Sequence, residues 1–177
     1  MKFCLHLLLM FFTSLLYSQN MEMKGKITFT STAPQEIITA SSNKLSGLLK
    51  PDELSFAFIV DINSFDGFNS PLQRVHFNEN YMETTKFPKS RFYGRIIESI
   101  KINEIEEEKI RVKGYLEIHG IKKERIVQVL LKRKNGVLYF TSDFSLNLSD
   151  YKISIPRIVH QKLADQIEVH VEGTIKK

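Results

Sequence analysis

Two side chains in one short segment have the types and spacing for chemistry. His76 and Glu79 stand three residues apart in PLQRVHFNENYMETTKFP, Pro71 to Pro88. On a helix this spacing puts an imidazole and a carboxylate on one face, where they could share a metal ion or move a proton. Neither chemistry is complete. A metal site needs a third protein ligand, and His119, His160 and His170 have no spacing that ties them to the pair. A general base needs a partner within hydrogen-bond reach, and none is identifiable. His119 directly precedes Gly120 and reads as a turn residue that bonds locally. The acidic run Glu104-Ile105-Glu106-Glu107-Glu108 collects carboxylates, as glycosidases do. It reads as a solvated hairpin loop, where a carboxyl has no cause to shift its pKa. No G-x-S-x-G, H-E-x-x-H or Gly-rich phosphate loop occurs. The residues therefore point to no catalytic or metal site. His76, Asn78 and Asn80 are expected to satisfy backbone groups where the segment meets the rest of the fold.

The elements that carry this segment are mostly strands. ELSFAFIVDI places Leu54, Phe56, Phe58, Val60 and Ile62 on one face. KIRVKGYLEIH does the same with Ile110, Val112, Gly114, Leu116 and Ile118. VLYFTSDFSLNL aligns Leu138, Phe140, Phe144, Leu146 and Leu148, and QIEVHVEGTI aligns Ile167, Val169 and Val171. Such period-two alternation marks strands with one dry and one wet face. KITFTS, RFYGRIIESI and ERIVQVLLKRK add further strands. Turn signals at Lys50-Pro51-Asp52, His119-Gly120 and Asn135-Gly136 separate the runs, and Asn-Gly between two such runs is a strong hairpin signal. About eight antiparallel strands result, enough for a sandwich or a closed barrel; periodicity does not choose between them. One helix interrupts them. Ser70 caps it, Pro71 takes its first position, Gln73 completes a capping box, and it runs to about Met82. Leu72, Val75, Glu79 and Met82 share one of its faces, and Phe77 and Tyr81 form an i,i+4 pair.

The chain of 177 residues forms one domain, residues 19–177, behind a leader, residues 1–18. MKFCLHLLLMFFTSLLYSQN has a basic start at Lys2, an apolar run from Leu5 to Leu16 and small or polar residues after it, the pattern of a secretory signal peptide. That places the mature protein in the periplasm or outside the cell. Cys4 is the only cysteine and lies ahead of the apolar run, so disulfides and thiol chemistry are not expected of the mature domain. The net charge of +5 comes from scattered Lys and Arg. Nucleic-acid binding would need them in a stripe, so no nucleic-acid partner is expected.

Four segments, FTSTAPQEIITA, HFNENYMETTKFPKSRFYG, VKGYLEIHGIKKE and DYKISIPRIV, follow one another in this order. As a set they resemble the YceI-like family of secreted bacterial proteins, over nearly the whole mature chain. The resemblance implies an all-β fold, an antiparallel eight-stranded lipocalin-like β-barrel with the short helix inserted near residues 71–82. It also implies binding of a polyisoprenoid or another long-chain amphiphile in an apolar lumen, without a cofactor.

For such a ligand the inward faces supply the lining: Phe56, Phe58, Val60, Leu116, Ile118, Phe140, Phe144, Leu146 and Val169. For any single one of them, ordinary core is the better reading. Head-group contacts at a mouth would come from Asn43, Lys44, Arg74, His76 and Arg157. Small residues on the strands (Ala57 or Ser55, Gly94, Gly114, Ser142 and Gly173) either leave lumen volume or relieve curvature. The expected function is a binding or carrier protein for a long-chain lipid, not an enzyme. Two other readings compete: an interaction or stress-related module with a filled barrel, and a hydrolase using His76 and Glu79. A transient contact with a membrane surface and a homodimer stay open as further partners.

Overall fold

The computed structural model describes residues 20–177, so the proposed leader lies outside the described residues. Eight strands follow in chain order: β1 (Met21–Thr32), β2 (Ile37–Lys50), β3 (Ser55–Asp61), β4 (Lys89–Ile96), β5 (Glu107–Ile118), β6 (Ile121–Lys134), β7 (Val137–Asn147) and β8 (Gln166–Lys176). Each pairs antiparallel with the next, and β8 returns to β1 to close a barrel. Closure settles what periodicity left open. The alternation also assigns the faces: Ile110, Val112 and Leu116 are buried, while Arg111, Lys113 and Tyr115 between them are exposed. The His119-Gly120 and Asn135-Gly136 turns both have two successive left-handed residues, with φ of 50° and 70° and of 51° and 79°. That is the mirror-image turn whose twist suits a two-residue hairpin.

The glycines resolve the choice between volume and curvature. Gly94 and Gly114 face each other across β4 and β5. A Cβ built on Gly94 would lie 2.5 Å from the Gly114 Cα and would strike the Lys113 carbonyl. The strands approach so closely there that only glycine fits, so the pair serves the bend of the wall rather than the lumen. Ala57 and Ser55, by contrast, alternate with Phe56 and Phe58 on β3 and belong to the outer face; Ala57 is exposed.

Two ladders are incomplete. β3 pairs with β2 only over Ser46–Lys50, and β7 pairs with β6 only over Leu130–Lys134. The first gap is closed by the segment between β3 and β4. Ser41 and Asp66 exchange backbone bonds of 2.8 and 2.9 Å, and Phe65, Phe68 and Phe77 pack around Phe29 with ring centroids 5.6, 6.0 and 5.3 Å away. Helix α1 (Pro71–His76) lies in this segment and runs into a wider π turn over Phe77–Tyr81. Ser70 caps it by accepting from the Gln73 N–H, but the Gln73 amide oxygen accepts from the Asn69 N–H and not from Ser70. The π turn packs Phe77 and Tyr81, both half-buried, against the core, and the helix leaves Leu72 and Val75 61% and 43% exposed. The extra residue in the π turn separates Met82, which is buried, from the face of Leu72 and Val75.

Surface carboxylates make the fold acid-sensitive. Hydrogen bonds from Asn69 to Glu36, Lys50 to Glu53, Lys86 to Glu83 and Arg111 to Glu98 hold all four carboxyls below the ordinary carboxylate range. Because these pKa values are lower folded than unfolded, the stabilisation is complete above the ordinary value of about 4.3 and is lost as pH falls through the lowered ones. Urea midpoints should be level near neutrality and drop on acidification below that value. Glu98→Gln should flatten the drop; a profile identical to the unsubstituted protein's would contradict the assignment.

Candidate functional site

The inward faces of the strands line a cavity of about 120 Å³ whose exposed lining is entirely apolar. Five of the nine residues expected to line it do so: Phe56, Phe58, Leu116, Phe140 and Phe144. Val60, Leu146 and Val169 are buried in the core away from the cavity, and Ile118 is partly buried against that core. Their inward direction follows from period two, but their height along the barrel does not, and it is height that removes them from the lumen. Other lining residues include Phe92, Ile102 and Val171. Phe92 lies in RFYGRIIESI, whose alternation is masked by the Gly94 bend, and Ile102 enters from a connection rather than from a strand. Ser142 is the single hydroxyl residue in the wall, and its Oγ donates to the Gln128 carbonyl at 2.6 Å, so it presents no free polar group.

Apolar side chains lie across both ends of the barrel. At the helix end the Phe29, Phe65, Phe68 and Phe77 rings fill the space. At the opposite end the β4–β5 connection lays Ile102 and Ile105 over the opening, both nearly fully buried. Arg133 of β6 pins this connection. Its guanidinium donates to the Ile105, Ile102 and Asn103 carbonyls at 2.9, 3.0 and 3.4 Å, and its own N–H bonds the Glu106 carbonyl at 2.6 Å. The acidic run read as a plain hairpin loop is thus part of a closure, with Ile105 as its plug and Glu106 as its anchor.

His119 braces the helix end. Its Nδ1 lies 3.1 Å from the Tyr151 carbonyl and its Nε2 lies 2.9 Å from the Glu83 carboxylate. Both partners are acceptors, and the tautomer decides which of them receives the ring N–H. The turn reading of His119 holds, but its bonds are long-range rather than local, and they tie three connections together. His119→Ala removes both contacts from a site where the imidazole is 11% exposed, although Glu83 keeps Lys86 on its other oxygen. The expected loss is about 1–3 kcal/mol in a urea melt, with His119→Gln recovering part of it.

The remaining candidates disperse. Asn43 and Lys44 are exposed on β2, Arg157 is exposed in the connection before β8, and His76 is exposed on α1. Arg74, also on α1, donates to the Asn63 carbonyl at 3.3 Å and lies 3.9 Å from Asp66. Among the described residues no ion pair or hydrogen bond links any two of these five. His76 and Glu79 are both solvent-exposed, and no three His, Cys, Asp or Glu side chains among the described residues gather as a metal site. Of the three side chains expected to satisfy backbone groups, Asn78 alone does so among the described residues, and within its own helix: it donates to the Arg74 carbonyl at 2.9 Å while its buried Oδ1 has no partner; His76 and Asn80 are exposed.

A closed eight-stranded barrel with an apolar lumen can be compared with known proteins. The family model of the YceI-like domain matches residues 12–175. The chain belongs to the YceI-like family. Solved structures share the fold of this YceI-like protein at low identity. A polyisoprenoid binding domain from Saccharophagus degradans, described as implicated in plant cell wall breakdown, superposes with a TM-score of 0.74 at 13% identity, covering 88% of this chain and 97% of its own. BcnA of Burkholderia cenocepacia gives 0.70 at 16%, covering 85% and 95%. The Campylobacter jejuni YCEI protein gives 0.61 at 20%, covering 79% and 85%. No curated protein matches the chain.

Proposed function

We propose that this YceI-like protein binds the apolar tail of a long-chain amphiphile, a polyisoprenoid or a lipid of similar tail, inside the barrel, and carries it without chemical change. One observation carries the reading: the cavity wall exposes no polar group. Such a space favours hydrocarbon, at about 0.8 kcal/mol for each CH₂ removed from water, less the cost of ordering the tail. The polyisoprenoid-binding neighbour of the same fold supports the ligand class. The cavity of about 120 Å³ is small beside the roughly 300–1,000 Å³ of ordinary ligand sites. A long tail therefore enters by displacing the phenylalanines that crowd the lumen, of which Phe58 touches both Phe56 and Phe140.

Native mass spectrometry of protein purified without detergent, with lipid extraction from the same sample, tests this. The expected result is a stoichiometric added mass that extracts as a long-chain lipid. A bare polypeptide mass that persists after incubation with prenols and fatty acids would overturn the reading. The apolar leader supports export to the periplasm, which cell fractionation of the native protein checks; cytoplasmic recovery of the unprocessed chain would refute it.

A further inference from the structure

Above the last β6–β7 ladder pair, Leu130 with Thr141, the barrel wall has no backbone ladder between these strands. Two side-chain bonds cross the seam instead: Ser142 to the Gln128 carbonyl, and Arg125 Nη2 to the Ser145 carbonyl, each 2.6 Å. The short 3₁₀ turn Leu148–Tyr151 lies against β6 and β7 at this place. Tyr151 is fully buried, and its hydroxyl has no hydrogen-bond partner. A phenol is normally partnered when buried, since an unmade bond costs about 1–3 kcal/mol. Arg125 stands on β6, one of the two strands this turn touches; burial pushes the Tyr151 phenol up, the Arg125 charge draws it back and the Asp150 charge adds to the rise. Arg125 stands opposite Gly114 on the inward row, one step beyond the lining pair Val112 and Val127. No carboxylate among the described residues lies within ion-pair distance of it. The seam thus holds a guanidinium without a counter-ion and a phenol without an acceptor, beside an otherwise apolar lumen.

We propose that Tyr151 and Arg125 form the head-group subsite of the lumen, and that they select amphiphiles whose head is an oxyanion, a carboxylate or a phosphate. The subsite rests on the lumen-binding reading above. The phenol O–H and the free guanidinium N–H groups donate to the head, while the tail runs down past Phe144 and Val127 into the cavity. None of the five head-group candidates taken from the sequence is part of it. The unladdered seam gives the head its way in, because separating β6 from β7 there breaks two side-chain bonds and no ladder.

The test is calorimetric titration of the full mature protein with four probes: hexadecanoic acid, its methyl ester, farnesyl phosphate and farnesol. Variants Tyr151→Phe and Arg125→Gln are compared with the unsubstituted protein; glutamine keeps an amide donor for the Ser145 carbonyl. Each variant should weaken the anionic probes by about tenfold or more and leave the neutral probes within about twofold, as expected for bonds to a charged group. Preference for the acid or for the phosphate identifies which oxyanion the subsite fits. Tyr151→Phe should keep or raise the melting temperature, since the hydroxyl it removes has no partner. Unchanged affinity for both anions, or a lowered melting temperature for Tyr151→Phe, would overturn the subsite while leaving the lumen reading intact. Failure of all four probes to bind the unsubstituted protein would overturn both.

Discussion

Gly94→Val leaves little folded protein. The added carbons meet the backbone of Lys113 and Gly114, and no flexible side chain stands there to move aside. β4 and β5 would have to separate along their ladder, from Arg91↔Glu117 to Ile96↔Val112, and the wall would lose its bend. Losses of this kind exceed about 4 kcal/mol, a large share of the 5–15 kcal/mol that hold an ordinary domain. Circular dichroism and a urea melt read the result. Gly136→Ala is the comparison: it also replaces a glycine, but nothing lies within 4 Å of the site, and only its φ of 79° is strained. That variant should stay folded at a cost of about 1 kcal/mol. If Gly94→Val were equally mild, the close approach of β4 and β5 would not be a feature of the folded protein.

Val171→Trp should abolish lipid uptake while preserving the barrel. Val171 lines the cavity from β8, with Ile27 and Ser142 as its register partners. An indole there takes most of the about 120 Å³ that a tail would enter. Filling a void offsets part of the overpacking cost, so destabilisation should stay within about 3 kcal/mol. Stoichiometric lipid should vanish from the native mass spectrum. Tyr139→Trp, at an exposed position outside the barrel, should retain it. Full lipid retention by Val171→Trp would place the ligand somewhere other than the lumen.

Such positions separate what is local in this sequence from what is not. The strands were legible because alternation is a local property: Leu116 and Phe140 point inward for the same reason that Tyr115 and Tyr139 point outward. The helix start was legible from Ser70 and Pro71, and the hairpins from their left-handed turn pairs. Closure of the barrel was not, since it is a single pairing of β1 with β8 between segments at opposite ends of the chain; only the resemblance to the YceI-like family pointed to it. The wall of the cavity is legible in direction but not in height: Val60 and Val169 share the inward direction of Phe58 but not its level. The polar groups that matter most to the ends, Arg133, His119 and Tyr151, carry no motif. Their roles come from partners 28 to 36 residues away, brought to them by the register of neighbouring strands and by the connections.

The order of the strands has a consequence for how the chain folds. Every ladder except β1–β8 joins neighbours in sequence, so hairpins can zip in turn while the ring waits for its last strand. Until β8 arrives, the outer edge of β1 offers unpaired N–H and C=O groups from Glu22 to Thr30 to any other strand. Glu22, Lys24 and Lys26 alternate along the first half of that edge. Hydrated charges on an edge disfavour pairing with a second extended chain yet are harmless once β8 has docked. They act as a temporary guard for the interval between synthesis of the first strand and closure of the ring.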